Sequence, residues 1–140
     1  GRLGYYDLVH PEYTVLDPVT HDMDSLNTRY NPCFSDFYRA MTGDLDRFQQ
    51  DRIRTVSREN SILLSCVPWF SYTDVSFHPK SSLMFLRPMF LWGKYQGSGD
   101  EITLPFTLQV HHAAADGYHC HLLLSELDEL LRCPHQWGSR

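Results

Sequence analysis

The residues best placed to do chemistry stand together in one stretch, Gln109-Val110-His111-His112-Ala113-Ala114-Ala115-Asp116-Gly117-Tyr118-His119. An imidazole has an ordinary pKa of about 6.5, so near neutrality it can take a proton from a hydroxyl or thiol. The three alanines behind His112 leave room for a second molecule to approach the ring. Asp116 has the side chain of a helix N-cap and can fix the loop by accepting from the backbone N–H groups that come after it. Gly117 permits a tight change of direction into that helix. The pattern H-x-x-x-D-G, with a second histidine before it and an aromatic and a histidine after it, singles out His112 as a general base at the end of a strand. Histidines also bind zinc, and His111, His119 and His121 lie close by. Neighbouring strand residues point to opposite faces, however, and no cysteine or carboxylate stands at ligand spacing. No metal site is expected, and these three histidines read as satisfied core residues.

Such a loop needs a strand to deliver it and a helix to receive it. Glu101 to His112 reads as one long strand broken only by Pro105, after a turn at Gln96-Gly97-Ser98-Gly99-Asp100. Asp116-Gly117 opens a helix whose Leu123, Leu124, Leu127, Leu130 and Leu131 form a core-facing stripe. Upstream, Ser61 to Val67 reads as a largely buried strand stopped by Pro68. Val75 to Phe77 forms another, and Leu83 to Tyr95 holds at least one more, interrupted near Arg87-Pro88. Asn31-Pro32 caps a helix with Phe34, Phe37, Met41, Leu45 and Phe48 on one face, weakened by Gly43. Tyr13 to Asp17 is a strand closed by Pro18. Two long helices among strands, without regular βαβ alternation, predict an α+β fold in which helices cover a mixed sheet.

Composition narrows the partners. The 140 residues, 42% hydrophobic, can bury one core, so one domain is expected. A net charge of −5, with Arg52, Arg54 and Arg58 diluted by Asp51 and Glu59, leaves no basic footprint for nucleic acid or an anionic membrane. No apolar run approaches the roughly 18–20 residues of a membrane span, and the N-terminus lacks a signal-peptide pattern. Cys33, Cys66, Cys120 and Cys133 are widely spaced, as reduced thiols are. The expected location is cytoplasmic.

Other segments extend the pattern around His112. Ser65-Cys66-Val67-Pro68-Trp69 is similar to the S-x-x-P-W segment of the chloramphenicol acetyltransferases, and the paired His111-His112 resembles that family's signature. Gly93-Lys94-Tyr95-Gln96, Gly99-Asp100, Leu104-Pro105 and Gln109-Val110 come next in the family's order and spacing. The likeness runs without a gap from Ser65 to the end of the last helix, and more weakly through Pro11 to Leu16.

The resemblance implies a two-layer sandwich and an acetyl-CoA-dependent O-acetyltransferase with no bound cofactor. In it His112 deprotonates the hydroxyl of chloramphenicol or a similar small molecule. Ser65 donates to the oxyanion of the tetrahedral intermediate, and Asp116 holds the loop. Lys94, Tyr95 and Trp69 would contact CoA, while Val75, Phe77 and Met89 would line the acceptor pocket. It further implies homotrimers with each site at a subunit interface.

This chain departs from the family where Leu91 replaces a common threonine, and in the sizes of its pocket residues. It matches the C-terminal two-thirds of such enzymes, opening on Gly1 with its first methionine at Met23. The family's N-terminal segment, with the arginine that pairs with the motif aspartate, is therefore expected to lie outside it, leaving Asp116 without that partner. Two other readings stand beside this one. One is a truncated, non-catalytic relative serving as a binding or assembly module. The other is a dihydrolipoamide acyltransferase core, which shares H-x-x-x-D-G but is disfavoured by the paired histidines and S-x-x-P-W.

Overall fold

The computed structural model describes residues 4–76, 86–99 and 101–137. Among the described residues five strands form one sheet: β1 (His10–Leu16), β2 (Met23–Asn27), β3 (Ser61–Val67), β4 (Met89–Gly93) and β5 (Phe106–Gln109). Their order is β2-β1-β3-β4-β5. The outer pairs β1–β2 and β4–β5 are antiparallel, and the inner pairs β1–β3 and β3–β4 are parallel. The helices are α1 (Phe34–Asp51) and α2 (Gly117–Arg132), the latter followed by a short 3₁₀ turn at Pro134–Gln136. This is the mixed-sheet α+β architecture that the sequence pattern predicts.

The core forms where α1 meets one face of the sheet. Tyr13, Val15, Leu26 and Phe48 are buried together, with Met41, Leu45 and Leu64 packed against them. Alternation along β1 puts Thr14 on the opposite face from Tyr13 and Val15. A buried polar chain joins the same elements. Thr28 donates its hydroxyl to Asp44 Oδ2 at 2.6 Å, so its oxygen accepts from the Tyr13 hydroxyl at 2.8 Å. Arg47 completes the chain on the other oxygen of Asp44. Each group in this chain thus has a partner, which offsets the cost of placing a carboxylate there.

At the start of β1, buried His10 accepts the Tyr30 N–H on Nδ1 at 3.0 Å. Burial, and then Arg58 and Arg29, hold its pKa below the ordinary histidine value.

Several local expectations shift. Helix α1 begins at Phe34 with Cys33 as its N-cap, because Asn31 turns its side chain onto the Cys33 N–H instead. Strand β5 spans only Phe106–Gln109, preceded by an isolated bridge between Gln96 and Thr103. Proline at 105 donates no ladder hydrogen bond, which confines regular pairing to residues 106–109. Val75 and Ser76 belong to no strand, and Phe77 lies outside the described residues.

The largest difference concerns α2. None of its residues is buried, and Leu122, Leu123, Leu124, Leu130 and Leu131 are exposed. Its anchorage is at the C-terminal end, where Trp137 donates to the Leu130 carbonyl and meets Phe34 edge-on at 5.1 Å. The leucine periodicity that predicts a core-facing stripe identifies an apolar face, but that face meets no buried core among the described residues.

Candidate active site

His111, His112 and the alanines form the turn between β5 and α2. The His111 carbonyl accepts from the Ala114 and Ala115 N–H groups at 2.8 and 3.1 Å, and its ring Nδ1 accepts from the Ala113 N–H at 3.1 Å. His111 therefore ties the turn together, and His112 stands exposed upon it. Neither histidine lies in a strand, as the shortness of β5 dictates. His119 and His121 are exposed as well, so none of the three flanking histidines is a core residue.

Asp116 is the N-cap of α2, as its residue type and position predict. Its Oδ1 accepts from the Tyr118 N–H at 3.0 Å, the His119 N–H at 3.2 Å and His119 Nδ1 at 2.7 Å. The His119 backbone N–H, the His119 ring and then the Tyr118 N–H hold the carboxyl below its ordinary pKa. Asp116 thus has local partners within this chain.

Ser65 sits near the end of β3, and strand register places it among its neighbours. Ser65 pairs with Leu91 of β4, and Leu91 pairs with Thr107 of β5. On the other side the Ser65 hydroxyl meets Thr14 Oγ1 of β1 at 3.0 Å. Thr14, Ser65, Leu91 and Thr107 thus form a row across the face turned away from α1. Met89 lies on this face too, two residues before Leu91. Cys66, next in the chain, faces the other way. Burial pushes its thiol up from the ordinary range, so it is a poor nucleophile.

The remaining candidates fall into two groups. Trp69, Lys94 and Tyr95 come together past the C-terminal ends of β3 and β4, where the Lys94 N–H donates to the Phe70 carbonyl at 2.9 Å. Trp69 is 58% exposed and Tyr95 63%, which makes them an open aromatic surface. Gly93 sets this close approach. A Cβ there would lie 2.8 Å from the Pro105 ring and 3.0 Å from the Phe70 carbonyl oxygen. Val75 is half-buried in the segment after β3.

His112 is at the other end of the sheet. Because β5 is antiparallel to β4, its last residue Gln109 pairs with Met89, the first residue of β4. The turn beyond it borders a cavity of about 640 Å³ shared by Ala113, Ala114, Ser61, Arg87 and Pro88, at the starts of β3 and β4. Arg87 there donates to Ser61 at 2.6 Å and pairs with Glu12 at 3.2 Å. A single chain therefore does not bring His112 to Trp69, Lys94 and Tyr95.

Among the described residues no group of three or more His, Cys, Asp or Glu side chains could hold a metal ion, and no helix is long and apolar enough to cross a membrane.

The layout is α+β, a mixed sheet with two long helices. A solved chloramphenicol acetyltransferase matches it with a TM-score of 0.73 over 90% of this chain and 63% of that one, at 18% identity. The family follows from sequence. Residues 1–128 match the chloramphenicol acetyltransferase family model, and the chain belongs to that family. It is 33% identical over 135 residues to a chloramphenicol acetyltransferase of Staphylococcus aureus, covering 94% of this chain and 65% of that protein. A chloramphenicol acetyltransferase of Clostridium butyricum is 31% identical over 140 residues, with 98% and 64% covered. The chain thus spans a little under two-thirds of the length of these relatives.

Proposed function

We propose that the protein is an acetyl-CoA-dependent O-acetyltransferase acting on chloramphenicol or a similar small hydroxylated molecule. The observation that carries this reading is the exposed His112, held on a turn fixed at both sides by His111 and by the Asp116 cap. The relatives named as chloramphenicol acetyltransferases supply the substrate class.

In this mechanism the His112 ring takes the proton of the acceptor hydroxyl as its oxygen attacks the thioester carbonyl. The carbonyl oxygen becomes negative in the tetrahedral intermediate, where the Ser65 hydroxyl donates to it. Collapse breaks the C–S bond, and the departing thiolate receives the proton held by His112. CoA and the acetyl ester are released. Asp116 takes no proton; it holds the turn. Trp69, Lys94 and Tyr95 offer aromatic faces and one positive charge to CoA, and Val75, Phe77 and Met89 are the proposed acceptor pocket.

Sites shared between subunits of a homotrimer fit this geometry, since His112 and the CoA surface lie at opposite ends of one sheet. The exposed leucines of α2 are a further surface that subunit contact or additional chain could cover. A cytoplasmic location suits the reaction, because acetyl-CoA is an intracellular metabolite.

Thiol release from acetyl-CoA in the presence of chloramphenicol tests the reading. Wild-type protein should release CoA only when an acceptor is present, and His112→Gln should abolish that release without unfolding the chain. Residual activity of the variant within tenfold of wild type would remove His112 from the role of base.

A further inference from the structure

Ser65 has hydroxyl company on one side only. In β4 its lateral neighbour is Leu91, 5% exposed and unable to donate or accept. In β1 it is Thr14, whose Oγ1 lies 3.0 Å from the Ser65 Oγ. The contact joins residues 51 positions apart. It arises from the β1–β3 register, in which Tyr13 pairs with Leu64, so the next residues of each strand share the outer face. Among the described residues Ser65 is the sole side-chain partner of the Thr14 hydroxyl.

We propose that Thr14 is a positioning residue for the oxyanion donor. The inference rests on the role assigned to Ser65 above. A serine hydroxyl has one proton and two lone pairs. If that proton points to Thr14, it is unavailable to the substrate. When negative charge grows on the substrate oxygen, the Ser65 proton turns toward it, and the Thr14 hydroxyl can then donate to the Ser65 oxygen. Two hydroxyls in series polarise one another, which strengthens the outer bond as charge develops. Thr14 also fixes the rotamer of Ser65 before substrate arrives, and such preorganisation is what makes an oxyanion donor effective. Thr14 itself touches no reacting atom, and no proton leaves either hydroxyl.

The test is a double-mutant cycle in the protein with acetyl-CoA and chloramphenicol, reading kcat and KM separately. Thr14→Val keeps the shape and β-propensity of the side chain while removing the hydroxyl. It should lower kcat by about tenfold, less than the 10²–10³ expected for loss of a donor itself, with KM nearly unchanged. Thr14→Ser should restore most of kcat. In a Ser65→Ala background the further change Thr14→Val should cost less than about twofold, since the group it positions is gone. Additive losses, or a raised KM with unaltered kcat, would show that Thr14 acts independently of Ser65 and would overturn the proposal. So would unchanged kinetics of Thr14→Val beside a crippled Ser65→Ala, and that result would leave the proposed function standing. A fully active Ser65→Ala would instead remove the oxyanion role itself, and this inference with it.

Discussion

A residue can matter by having no side chain. Gly93 is buried at the end of β4, with the Pro105 ring, the Phe70 carbonyl and the Tyr72 ring all inside the contact distance of a Cβ. Two of these belong to backbone or to a ring held by backbone, so they cannot simply swing aside. Gly93→Ala should therefore cost about 1–3 kcal/mol of stability, the usual range for overpacking, read from the denaturant midpoint. It should also spread the Trp69 and Tyr95 surface, raising KM for acetyl-CoA more than it lowers kcat. A midpoint within experimental error of wild type would mean that the Pro105 segment yields freely. At this scale the Asp116 cap is legible in the sequence because its partners are local, within a few positions of chain. Thr14 is not. Its partner Ser65 is reached only through strand register, and no spacing along the chain announces it.

Among elements, the start of α2 couples helix stability to pH. Asp116 caps the helix as a carboxylate, and its partners hold its pKa below the ordinary value. A depressed acid contributes stability that is fully present above its unfolded pKa of about 3.9 and is lost as pH falls through the lower folded value. Helix α2 should accordingly fray in acid, starting below about pH 4. Asn is as good an N-cap as Asp but does not titrate in this range. Asp116→Asn should keep the helix at pH 7 and lose the acid-dependent part of the fraying, visible as a difference between the two helical dichroism titrations. Identical titrations would assign the acid sensitivity to other carboxylates, such as Asp17, whose pKa the Thr20 and Val19 N–H groups also lower.

The elements themselves are unevenly legible. Ser61–Val67 is plain, an apolar run ended by proline, and so is the α1 face from Phe34 to Phe48. Met23–Asn27 carries no strand pattern that stands out, since only Leu26 and Asn27 of this sheet-edge segment are buried. The leucines of α2 show what the helix could bury but not which surface would cover it.

Whole-molecule organisation decides whether these parts can make one site. Parallel β3 and β4 send Trp69, Lys94 and Tyr95 to one end of the sheet, and antiparallel β5 sends His112 to the other. In a cyclic trimer each interface meets two different surfaces, so one chain can offer His112 while its neighbour offers Ser65 and the surface proposed for CoA. That arrangement makes a prediction that a site within one chain does not. His112→Gln and Ser65→Ala should each be nearly inactive alone. Unfolded together in equal amounts and refolded as mixed oligomers, they should recover activity. A site needs an intact His112 from the Ser65→Ala chain and an intact Ser65 from the His112→Gln chain. With random assembly about a quarter of the interfaces satisfy both conditions, and those should turn over at the wild-type rate. Sites drawing both residues from one chain would stay inactive at every mixing ratio, and the proposed shared site would then be wrong.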